Sequence, residues 1–185
     1  MVRIRLTGEW GTAMTTWQLR TGLALLMAAP LALVAQQRQP PTPAQQIINN
    51  VNGVNRRILE MAKDFPEEKY NFRATPEVRS FGEVILHVMA GNTYGAKVAR
   101  GVPDANWDKE EVDPKNYHGK AEIVAAFEKS ANDAADALKG LPPETFTKSL
   151  APWPSVIEHG GEHYGQLVVY YRLNGMVPPA SRPKK

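Results

Sequence analysis

Apolar residues recur at intervals of three and four in four separate stretches of this 185-residue chain, and no stretch sustains an alternation of period two. Ile47, Val51, Val54 and Ile58 form the first line, and Phe81, Val84, Ile85, Val88 and Met89 the second. Ile123, Val124, Phe127, Ala131, Ala134, Ala135 and Leu138 form the third, and Ile157, Tyr164, Leu167 or Val168, and Tyr171 the fourth. That spacing puts each line on one face of an α-helix. Four such stripes of similar length can be buried against one another, so the expected fold is all-α, a four-helix bundle.

The residues between the stripes punctuate them. Thr42-Pro43 reads as an N-cap with proline in the first turn, opening a helix that runs to about Asp64. Ser80-x-x-Glu83 is a capping box, and Gly101 closes the second helix near Arg100. Thr75-Pro76 is another candidate start. Gly140 followed by Pro142-Pro143 ends the third helix. Ser155-x-x-Glu158, just after Pro154, is expected to cap the fourth. The loop from Val102 to Gly119, which carries Trp107 and His118, is longer than common connections, a length that signals function or mobility. His118 is expected on the surface.

The N-terminal residues stand apart from this pattern. Arg20 precedes TGLALLMAAPLALVA, which gives way to QQRQPPTP. A basic segment, an apolar run and a small residue at Ala35 describe a cleaved signal peptide over residues 1–35, its start falling at Met1 or Met14. The run is shorter than the ~20 residues a membrane anchor needs. Residues 36–42 then form a disordered tether, 43–179 the bundle domain and 180–185 a basic tail. The expected location is exported, periplasmic or secreted, with no membrane anchor after cleavage. With no cysteine in the chain, neither a lipid anchor on cysteine nor a disulfide is available.

The net charge of +3 falls with the leader. Residues 1–35 hold three arginines and one glutamate, leaving 19 basic and 18 acidic side chains. No basic stripe with interleaved aromatics remains, so nucleic acid is not an expected partner.

Chemistry concentrates in SVIEHGGEHYGQLVVYYR, residues 155–172. His159 and His163, four apart, lie on one helix face, and His87 is the one other histidine within a helical stripe. Bundles build metal sites from inward side chains on facing helices. Three neutral imidazoles suit Zn(II), Ni(II), Cu(II) or Fe(II) and leave a position open for water or substrate. The alternative is that each histidine only caps or hydrogen-bonds a neighbour. His159-Gly160-Gly161-Glu162-His163 also matches the H-x-x-E-H pattern of inverted zincin peptidases. Their third ligand is a downstream acid, whereas no Asp or Glu follows Glu162 here. Glu162 is a candidate general base or orienting group, and Gln166 and Arg172 are candidate substrate contacts. Gly160 and Gly161 suggest a close approach of the second helix. Asn92 is a polar position in that helix whose direction the sequence leaves open.

SFGEVILHVMAGN followed far downstream by EHGGEHYGQLVVYYRLNGMVPP resembles the DinB-like superfamily (DinB/YfiT-like) over roughly Pro43 to Pro179. The resemblance implies a four-helix bundle whose His87, His159 and His163 hold a divalent metal, zinc or nickel. It also implies a metal-dependent transferase or hydrolase activating a thiol or water on a small-molecule substrate, and a possible homodimer. The alternative is a noncatalytic bundle that binds metal or a partner.

Overall fold

A computed structural model describes residues 40–183; the expected leader and residues 36–39 of the tether lie outside them. The α-helices are α1 (Pro43–Asp64), α2 (Phe81–Ala99), α3 (Lys120–Lys139), the single turn α4 (Thr145–Lys148) and α5 (Trp153–Leu173), and there is no strand among the described residues. None of these helices is long and apolar enough to cross a membrane. The four long helices make the expected all-α bundle. α2 packs along α3 and α5, and α1 packs along the same two helices, so α1 and α2 occupy opposite corners.

Most helix ends follow the local chemistry. Thr42 accepts from the Gln45 N–H at 3.2 Å. Ser80 and Glu83 complete the capping box, the Ser80 N–H donating to Glu83 at 2.8 Å and the Glu83 N–H to Ser80 at 3.3 Å. Gly101, at φ +70°, turns the chain left-handed after α2, and the Val102 N–H closes the end on the Lys97 carbonyl at 3.0 Å. Two expected starts fail. No helix begins at Thr75-Pro76; the connection holds only a 3-10 turn at Glu67–Lys69. Ser155 does not cap α5, which starts two residues earlier at Trp153 and has no side-chain cap. Proline tolerates the first helical turn because its missing N–H would be unpaired there, so Pro154 lies inside the helix and Ser155 with it.

The core forms in two parts. One end is aromatic: Phe65 and Phe81 stack at 3.8 Å, with Tyr171 4.9 Å from Phe65. The Tyr171 hydroxyl donates to the Met61 carbonyl at 2.8 Å and lies 3.1 Å from an Asp64 carboxylate oxygen. Tyr171 is thus core, while Tyr164 is half-buried beneath the Arg57 guanidinium, 5.1 Å from its ring centre. The other end gathers Val51, Leu138, Phe146, Trp153 and Val156. Across the centre, Asn55 of α1 and Asn92 of α2 exchange two amide hydrogen bonds of 3.0 and 3.1 Å. That reciprocal pair satisfies both buried side chains and answers where Asn92 points.

Gly160 does bring helices close, but its partner is α1 and not α2. A Cβ there would sit 3.2 Å from Val54, whereas one on Gly161 would meet nothing within 4 Å. The tight glycine beside the histidines is Gly91 of α2, where a Cβ would fall 2.6 Å from Trp107 and 3.3 Å from His159 Nδ1.

Candidate metal centre

α2 supplies His87 and α5 supplies His159 and His163, one turn apart. Each offers a ring nitrogen, and the three nitrogens lie within 4.8 Å of one another. The ring centres are 4.5 to 4.7 Å apart, edge to face. All three residues are half-buried. His118, by contrast, is an exposed loop residue.

The partners of the outer ring nitrogens set the tautomers. A neutral imidazole has one N–H. His87 Nδ1 donates to the Glu111 carboxylate, and His163 Nδ1 donates to Gln166 Oε1 at 2.9 Å. Both therefore present a bare Nε2 lone pair. Gln166 is fixed in turn by donating to the Tyr170 hydroxyl at 2.9 Å, which donates to the Arg79 carbonyl at 2.6 Å. Orientation of a ligating histidine through its second nitrogen, by a carboxylate or amide oxygen, is the usual support of a metal site.

Electrostatics agree. Burial pushes His159 down to about 3, with His163 and His87 adding to it. Burial also lowers His87, against the opposing pull of Glu111. Both rings are neutral at pH 7, the form that donates a lone pair. His159 Nε2 and His87 Nε2 face each other at 2.9 Å. A proton on His159 Nε2 makes this contact an N–H···N hydrogen bond; with the proton on Nδ1 instead, all three Nε2 lone pairs face inward, and three neutral imidazoles so placed are a donor set that fits a metal ion.

Two supports come from the loop after α2, and neither had a periodic signal in the sequence. Glu111 holds His87. Trp107 lies in the groove that Gly91 leaves, 4.9 Å from the His159 ring and 5.2 Å from Tyr94. Next to them, Glu110 takes two bonds of 2.6 and 2.8 Å from Lys97 of α2. The unusual length of residues 102–119 was the one sequence clue. Among the other candidates, Gln166 touches His163 and is occupied with it. Glu162 and Arg172 are exposed on α5 and have no side-chain hydrogen bond among the described residues.

Four packed helices converging three imidazoles on one point define a helical bundle with a histidine site able to hold a metal ion. A family model for the DinB superfamily matches residues 52–170, and the chain belongs to that superfamily. No curated protein matches it.

Proposed function

We propose that His87, His159 and His163 bind a divalent metal, zinc or nickel, and that the protein is an exported metal-dependent transferase or hydrolase acting on a small molecule. The observation that carries the reading is the convergence of three ring nitrogens, two of them with their outer nitrogens held by Glu111 and Gln166. When bound, the metal supplies a Lewis acid that activates a thiol or water. The chain's own residues do the rest. Glu111 and Gln166 keep two lone pairs turned inward, and Trp107 covers one side of His159. A cleft of about 570 Å³ beside His87 admits a ligand, a volume within the ordinary range for small molecules. Export rests on the sequence of residues 1–35 alone.

Metal analysis of the purified protein tests the first half. Wild type is expected to carry close to one zinc or nickel per chain, and His87→Ala and His159→Ala to lose it. Absence of stoichiometric metal, or metal retained by both variants, overturns the reading. A panel of thiols with electrophiles, and of esters, then separates an enzyme from a bundle that only binds metal. No turnover across the panel favours the latter.

A further inference from the structure

The cleft beside His87 contains a cation that the fold does not use. Arg79, His87, Asp108 and Glu111 line it, with Leu86 and Val112 as apolar wall. Glu111 is engaged by His87. Glu83, also on the wall, is engaged by Arg73 at 2.5 Å and by its capping bond to Ser80. Arg79 and Asp108 differ: each is exposed, and neither side chain makes an ion pair or hydrogen bond among the described residues, which leaves Arg79 as the one cation on the lining. Arg56, Arg73, Arg100 and Arg182 each meet a carboxylate, Arg57 lies over Tyr164, and Arg172, also without a side-chain partner among the described residues, does not line this cleft.

The backbone of Arg79 is nevertheless firmly placed. Its carbonyl accepts from Tyr170, the end of the chain of bonds that runs through Gln166 to His163. The next residue, Ser80, is the buried cap of α2. One network thus orients a histidine of the cluster and fixes the root of a guanidinium at the cleft.

We propose that Arg79 is the anion-recognition group of this site, pairing with a carboxylate or phosphate on the small molecule that enters the cleft. The planar fork of arginine offers two parallel N–H donors to such an oxyanion, and lysine offers only a point charge. The inference rests on the metal-site reading for what happens beyond binding, but the recognition itself needs no metal.

The test is a titration of isotopically labelled protein, metal-free and zinc-loaded, with acetate, inorganic phosphate and acetamide, following the Arg79 Nε–H resonance. Acetate or phosphate is expected to shift it and neutral acetamide to leave it in place. Arg79→Gln should lose about tenfold or more in anion affinity in both forms, with wild-type zinc content, and Arg79→Lys should recover part of it. Stronger binding of acetate identifies a carboxylate substrate, and stronger binding of phosphate a phosphorylated one. Equal affinity in wild type and Arg79→Gln overturns the proposal. So does an acetamide shift as large as that of acetate, or loss of zinc together with anion binding in Arg79→Gln, which would make Arg79 part of the scaffold. A protein that takes up no zinc but still binds the anion through Arg79 supports this proposal while sinking the metal reading.

Discussion

Glu111 acts on His87 from outside the helices. By accepting from Nδ1 it decides which ring nitrogen keeps a free lone pair, a choice α2 alone leaves undecided. Glu111→Ala should therefore weaken zinc binding by about 10–100-fold with an unchanged helical circular dichroism spectrum, and Glu111→Gln, which keeps an acceptor oxygen, should lose less. Competition against a chromogenic chelator measures both; unaltered affinity in Glu111→Ala would show that packing alone orients the ring. The histidines themselves were legible because four residues make one turn, so His159 and His163 had to share a face. Glu111 and Gln166 were harder to read. Gln166 is one turn from His163, and its neighbourhood was visible while its partner was not. Glu111 lies in a loop where no period relates sequence position to direction, and only folding brings it to a residue 24 positions earlier.

The helices were readable for reasons that act over a few residues. A hydroxyl at Ser80 with a carboxylate three residues on, and a glycine at 101 where the chain turns left-handed, are decided by local sterics and hydrogen bonding. Approach between elements is not local, which is why Gly160 was matched with the wrong helix and Gly91 went unremarked. Gly91 lets Trp107 lie against α2, and with it the turn that carries Glu110 and Glu111. Gly91→Leu should displace Trp107, lower the melting temperature and weaken zinc binding although it replaces no ligand. Gly161→Ala, where a Cβ meets open space, should instead stabilise the fold by up to about 1 kcal/mol, the propensity gain within a helix. Thermal unfolding of the two variants side by side checks the contrast; equal losses would mean the gap at Gly91 is not what holds the loop.

At the scale of the molecule, the C-terminal segment returns to the first helix. Arg182 meets Asp64 at the end of α1 with two bonds, of 2.8 and 2.5 Å. The hydrogen bond from Arg182 holds the Asp64 carboxyl below its usual range, with Tyr171 helping against partial burial. A carboxylate with a depressed value contributes its full stability above the ordinary range near pH 4 and loses it as the pH falls through the depressed value. Wild type should thus lose more stability on acidification than Arg182→Ala, as denaturant melts at a series of pH values would show; parallel pH profiles would mean the pair is fully screened. Metal removal acts on the whole fold too. With free zinc a hundredfold above its dissociation constant, the bound protein should be about 2.7 kcal/mol more stable than the chelated one, and a melting temperature indifferent to chelator would contradict zinc binding to the native bundle.

His87 and His159 stand 72 positions apart in the chain, which contains no cysteine. An ion shared by those two rings is, in topological terms, a cross-link that closes about half of the domain into a ring. A permanent link spanning that length would remove about 4 kcal/mol of conformational freedom from the unfolded chain. A coordinate link does so only while both rings keep hold of it. Such a staple has a strength set by the local supply of metal rather than by redox potential.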